Sequence, residues 1–232
     1  MTIIGGRAHL NGITFATNTH IIRGKLSKGN LSIKVQRLPC LPIFTALDKV
    51  PFLRGISKLA KLNLKTFLLL ILMLALPWDW LPPPPDDVIN LQPFWSCLGL
   101  LGLMVILVFV LKPLWQFHGA EHKAFNVYTQ GEVLSLSRVK AASRVSERCG
   151  SHLAVLLLPI VILLSLTALP LFIVVPALPI GYEIFQRGSH RKGFLPISRL
   201  AELLQQYIVT AEPTEEQLQC AMATLTRAIE QD

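Results

Sequence analysis

Two histidines and a glutamate are spaced for metal chemistry in the string Phe117-His118-Gly119-Ala120-Glu121-His122-Lys123. On a continuous helix His118 and His122 are i and i+4, so both imidazoles leave one side of the helix about 6 Å apart. That spacing lets both rings share one divalent ion. Glu121 falls between them in angle, close to where a water on that ion would sit. His-x-x-Glu-His is the inverted zincin arrangement, in which the two histidines hold zinc and the glutamate is the general base. Zinc lowers the pKa of a bound water to about 7, which supplies a nucleophile at neutral pH. The plainer reading is a pair of histidines at a helix end, with Glu121 paired to Lys123 or Arg144.

A zinc site needs further donors. Cys149-Gly150-Ser151-His152 has Cys-x-x-His spacing, and a thiolate with an imidazole suits zinc. Glu183 closes an apolar stretch on the same predicted side as the histidines. Cys149, His152 and Glu183 are therefore expected as additional ligands, each weighed against an ordinary role: a small buried residue, an interfacial ring and a solvated helix end. Arg148 and Lys123, beside these motifs, are expected to bind an anionic substrate. The expected cofactor is a divalent metal, zinc by preference.

The elements that must position these residues are strongly apolar. The chain has 232 residues, 52% hydrophobic and 16% charged, against about 25% charged in ordinary soluble domains, with a mean hydropathy of +0.51. This excludes a disordered chain, a disulfide mini-scaffold and a simple coiled coil. The four cysteines (Cys40, Cys97, Cys149, Cys220) have no disulfide-framework spacing, so a reducing compartment is the default. The opening residues, broken by Gly5, Gly6, Arg7, Asn11 and Gly12, do not read as a signal peptide.

The net charge of +8 is uneven: residues 1–65 hold eleven Lys and Arg and the single acid Asp48. No helix-turn-helix, zinc finger or aromatic-basic platform accompanies it, so no nucleic-acid partner is expected. Beside long apolar runs, the simpler reading is positive charge on the cytoplasmic side of membrane spans.

Turn signals at Gly5-Gly6, Asn11-Gly12 and Lys28-Gly29-Asn30 divide the first 40 residues into short strands, giving a β-rich region over 1–50. Residues 51–65 read as a basic amphipathic helix suited to a membrane surface. Apolar runs at Thr66–Trp78, Phe94–Leu111 and, as a proline-broken hairpin, Ser151–Tyr182 predict four membrane segments within 66–187. The loop over 112–150 carries the metal motif. Residues 188–232 read as a cytosolic helical hairpin. In it Leu200, Leu203, Leu204, Tyr207 and Ile208 form one apolar side, and a capping box at Thr214 and Gln217 opens the second helix. The expected fold is thus an all-α polytopic inner-membrane protein with a small β-rich N-terminal region, both termini cytoplasmic.

Trp115-Gln116-Phe117-His118-Gly119-Ala120-Glu121-His122-Lys123-Ala124 and Arg148-Cys149-Gly150-Ser151 resemble the two signature stretches of the YqhQ-like family. Gly5-Gly6-Arg7-Ala8 with Asn11-Gly12, Pro51-Phe52-Leu53-Arg54-Gly55, Tyr182-Glu183-Ile184 and Glu212-Pro213 also line up with it. The resemblance implies a bacterial membrane protein with a domain of unknown function, labelled a metal-dependent enzyme. Where the family has His-Pro before Arg-Cys-Gly, this chain has Ser146-Glu147, and where its opening motif has Glu, this chain has Asn11. His152, three residues after Cys149, is the candidate replacement for the missing histidine.

The function expected is a membrane-embedded metal-dependent hydrolase acting at the cytosolic face on a lipid-linked or membrane substrate. Its expected partners are membrane lipid and a protein in the bilayer. The alternatives are a non-catalytic scaffold or assembly factor whose His/Cys/Arg cluster is structural and, behind it, a small-solute or lipid transporter, since broken helices line transport sites.

Overall fold

The computed structural model describes residues 3, 5–38, 49–50, 68–69, 72, 93–165, 180–181, 183 and 195–231. Turn chemistry organises the N-terminal part into four strands: β1 (Gly5–His9), β2 (Gly12–Ala16), β3 (His20–Ser27) and β4 (Asn30–Arg37). They form an antiparallel meander in chain order. The last link is the two-residue turn Lys28-Gly29, where both residues have positive φ (49° and 79°). Such a turn matches the right-handed twist of the strands it joins, and it pairs Ser27 with Asn30.

Alternation along β2 and β3 sends Ile13, Phe15 and Ile22 to one face, and all three are fully buried. Two helices cover that face. Helix α2 (Lys112–Thr129) contributes Phe117, Ala120, Ala124 and Phe125; helix α6 (Glu215–Glu230) contributes Leu218, Ala221 and Leu225. Gly24 of β3 lets α6 approach closely, because a Cβ there would overlap the Thr224 hydroxyl. The predicted capping box opens α6: the Gln217 N–H donates to Thr214 Oγ1 (3.4 Å) and the Thr214 N–H to Gln217 Oε1 (2.9 Å).

Four further α-helices are described: α1 (Pro93–Val110), α3 (Leu136–Ala141), α4 (Gly150–Ser165) and α5 (Leu195–Leu204), the last continuing into a single π-helical turn, Gln205–Val209.

This architecture corrects the expected all-α polytopic fold. The described core is a four-stranded sheet packed on helices. Among the described residues no helix is long and apolar enough to cross a membrane. The multi-pass inner-membrane placement with cytoplasmic termini falls with that expectation. The physical reason lies in helix length. The α1 run stops at Leu111, before Lys112-Pro113 start a new helix. Its 18 residues rise about 27 Å, short of a hydrocarbon thickness of about 30 Å. Helix α4 has 16 residues with Pro159 inside it. The expected segments at 51–65 and Thr66–Trp78 and the second half of the 151–182 hairpin lie outside the described residues, apart from isolated positions.

The C-terminal hairpin is also corrected. Helix α5 packs on α4, whereas α6 packs on α2 and the sheet, because the sheet offers the larger apolar face. The side of α5 and its π turn that was expected to be buried is largely exposed (Leu200, Leu203, Tyr207, Ile208), and Ala201 and Gln205 are buried instead.

Candidate metal centre

Helix α2 carries His118 and His122 one turn apart, with ring centroids 4.3 Å from each other and ring planes at 62°. Each ring is oriented by a backbone carbonyl. His118 Nδ1–H donates to Val209 O (2.7 Å) and His122 Nδ1–H donates to Arg144 O (2.5 Å). A carbonyl only accepts, so each Nδ1 carries the proton and, in the neutral ring, each Nε2 carries a lone pair. Fixing the far nitrogen through a second hydrogen bond is how metal-ligating histidines are usually held.

Cys149 completes the group. Its Sγ lies 3.6 Å from His118 Nε2, and ligand atoms of His118, His122 and Cys149 all lie within 4.8 Å of one another. A tetrahedral zinc with bonds of about 2.0 Å to nitrogen and about 2.3 Å to sulfur has an N···S edge of about 3.5 Å. The observed separation matches that edge. Burial pushes the Cys149 thiol up, but hydrogen bonding and charge from His122, with hydrogen bonds from Ser151, outweigh it, and the thiol ends below its ordinary value. His122 and Cys149 are buried and His118 is half-buried, which leaves the cluster reachable on the His118 side. Two imidazoles and an acidified thiol in this geometry fit zinc.

Glu121 is buried beneath the sheet. Its carboxylate lies against Gly6 of β1, where any Cβ would overlap Oε1. Burial raises its pKa to about 7, and the charge of His118 pulls the other way. It is therefore a carboxyl poised near neutrality and electrostatically coupled to His118.

The remaining expected residues fall elsewhere. Glu183 is buried and does not belong to the converging trio. His152 is also outside the trio; its Nδ1 accepts from Gln205 Nε2 (3.2 Å), and burial lowers its pKa. Lys123 is buried and committed: Nζ donates to Lys140 O (2.8 Å) and to Glu212 Oε1 (2.7 Å). Arg144 joins the same carboxylate through Nε (3.3 Å). Arg148 is exposed, with its guanidinium 5.7 Å from the centroid of the Phe125 ring.

Several positioning groups carry no motif. Asn126 Nδ2 donates to Ser143 O (3.0 Å) and Val145 O (2.8 Å), holding the segment that presents Arg144 O. Gly119 lets the 209–212 segment lie on α2, since a Cβ there would collide with Ala211 O; Ala211 N–H donates to Trp115 O (2.9 Å) alongside. Fully buried Gln205 contacts Ser146, Ser151 and His152. The signal available in sequence was one of two adjacent amides, Gln205 and Gln206, beside leucines that point out, which is too weak to single out Gln205.

A meander sheet packed on helices, with two histidines of α2 meeting a cysteine from the turn before α4, defines an α+β protein with a candidate metal centre. The model of a family described as "Protein of unknown function (DUF1385)" matches residues 94–231, and the chain belongs to that family. It is similar to "Uncharacterized protein YqhQ" of Bacillus subtilis (strain 168), 26% identical over 155 residues that cover 61% of this chain and 49% of that protein. The chain thus spans about half the length of the curated relative it matches. No solved structure matches the chain.

Proposed function

We propose that the chain is a zinc-dependent hydrolase whose ligands are His118, His122 and Cys149 and whose general base is Glu121. The observation that carries this reading is the pair of Nδ1–H···O=C bonds, which leave Nε2 of each ring as the ligating nitrogen beside Cys149, with His118 Nε2 3.6 Å from its Sγ. Three protein donors leave a fourth position open, the mark of a catalytic rather than a structural zinc site. When bound there, zinc supplies Lewis acidity and an acidified water. Glu121 takes and returns a proton at its carboxylate, and a group with a pKa near the working pH does so best. Val209 O and Arg144 O keep the rings in the ligating tautomer throughout.

The second reading is a structural cluster in a non-catalytic assembly factor. It is favoured by the Lys123–Glu212–Arg144 network, which ties α2 to the loop before Cys149 and to the approach to α6.

The test is metal content after dialysis against zinc, followed by assay on a panel of chromogenic esters and amides. His118→Ala, His122→Ala and Cys149→Ser should each lose the zinc that wild type retains. Glu121→Gln should keep zinc and lose turnover. Full zinc retention by His122→Ala would refute the site, and zinc-bound wild type inert on the whole panel would favour the structural cluster.

A further inference from the structure

We propose that Gln205 is a positioning residue that sets Cys149 as the third donor, an inference that rests on the zinc reading above. The Gln205 side chain has no exposure, and its amide spans the loop on both sides of Cys149. Before the cysteine, Oε1 accepts from Ser146 N–H (2.8 Å) and Nε2 reaches Ser146 O (3.1 Å). After it, Nε2 reaches Ser151 Oγ (2.9 Å) and His152 Nδ1 (3.2 Å). The two-way pairing with Ser146 imitates a strand bridge. Together these contacts pin the entry and the exit of a turn whose middle carries the thiol. The Ser151 N–H, held at that exit, donates to Cys149 Sγ (3.5 Å).

The same turn also serves the second ligand. Gln205 opens the π turn and Val209 closes it, and Val209 O is the acceptor for His118 Nδ1–H. Thr210 locks the turn by donating its N–H (3.0 Å) and its hydroxyl (2.5 Å) to Gln205 O. Isolated π turns in otherwise α-helical segments recur at functional sites. Here the turn places a side chain on the Cys149 loop and a carbonyl on the His118 ring, from the two ends of a five-residue segment. Two donors from separate elements are therefore registered against each other by one short segment. Gln205 does not itself touch the donor atoms. It acts through the loop backbone, as residues behind a metal's ligands do when their loss costs affinity without removing a ligand.

The experiment compares zinc affinity by chelator competition with the thiolate-to-cobalt charge-transfer absorption of the cobalt-loaded protein. Gln205→Glu keeps the acceptor for Ser146 N–H and loses the Nε2 contacts. It should bind zinc about 10–100-fold more weakly, with the charge-transfer absorption reduced while cobalt bound to the histidines remains visible. Ser151→Ala takes a half-buried hydroxyl away from both Gln205 Nε2 and Cys149 and should weaken binding about fivefold, which keeps the test decisive should Gln205→Glu not fold. Leu225→Ala, which opens a cavity in the sheet–helix core, is the stability control: it should lower Tm and leave affinity and absorption at wild-type values. Wild-type affinity and full absorption in Gln205→Glu, or in Ser151→Ala where the first does not fold, would overturn this proposal alone. Wild type binding zinc no more tightly than Cys149→Ser would overturn the metal reading and this proposal with it.

Discussion

Removing the charge of Glu121 should make the metal-free protein more stable, and increasingly so as pH rises. The carboxyl is buried against Gly6 and its pKa is raised from 4.5 to about 7. A carboxyl whose folded pKa exceeds its unfolded pKa binds more protons folded than unfolded in the window between the two. Stability is then lost as pH rises through that window. With those values the penalty is about 1 kcal/mol near pH 5 and about 3 kcal/mol near pH 7.5, at 1.36 kcal/mol per unit. Gln is nearly isosteric and never ionises. The gap between Glu121→Gln and wild type should therefore widen by about 2 kcal/mol across that range. The comparison must be a difference because His9 works in the opposite sense. Burial, then Arg23 and Arg7, lower its pKa to about 4, so its contribution is lost as pH falls through the range below 6.5. His9 is only half-buried, and solvent screening shrinks that effect; it cancels between the two proteins. Urea denaturation of both proteins at several pH values, each treated with chelator, measures the gap. A gap constant with pH would refute the claim that the sheet keeps Glu121 in a low-dielectric setting.

Two packing predictions follow from the same structure. Gly119→Ala should cost about 1–3 kcal/mol, because the new methyl meets the Ala211 carbonyl; the displaced 209–212 segment should weaken zinc retention too, as measured by chelator competition. Phe15→Ala, at a fully buried ring stacked 6.4 Å from Phe125, should cost about 3–5 kcal/mol in chemical denaturation.

The histidine pair was legible because it is local: an i, i+4 spacing on one helix puts both rings together whatever the rest of the chain does. Strand positions were legible for a similar reason, since Lys28-Gly29 declares its turn within two residues. What orients the pair was not legible. Val209 and Arg144 act through backbone carbonyls, which no side-chain pattern reveals, and they lie 91 and 22 residues from their histidines. Gln205 reaches residues 53 to 59 positions away. The Cys-x-x-His spacing singled out Cys149, which lies beside the two histidines of α2, whereas its own histidine contacts Gln205. The apolar runs misled because the helices built from them are short: the strongest becomes a helix of 18 residues that ends at Val110, before Lys112-Pro113 open the next. The leucines of α5 misled because the buried side of that helix is fixed by polar contacts through Gln205.

The N-terminal sheet shows how a piece with no chemistry of its own shapes the centre. Its apolar face needs α2 and α6 to cover Ile13, Phe15 and Ile22, and that requirement presses β1 onto α2 at the level of Glu121. Residue 6 is the contact point, and a glycine there is what allows the strand to close over the carboxylate instead of pushing it into solvent. The desolvation that lifts Glu121 toward neutrality is thus a by-product of folding the core. The opposite side of the same α2 turn carries Lys123 to Glu212, so one turn presents a carboxyl to the sheet and an ion pair to the loop, with the two imidazoles between them. A helix anchored on both flanks in this way cannot rotate its histidines out of register without breaking either the core or the ion pair, so the rigidity of the donor set comes from tertiary packing and not from the helix alone.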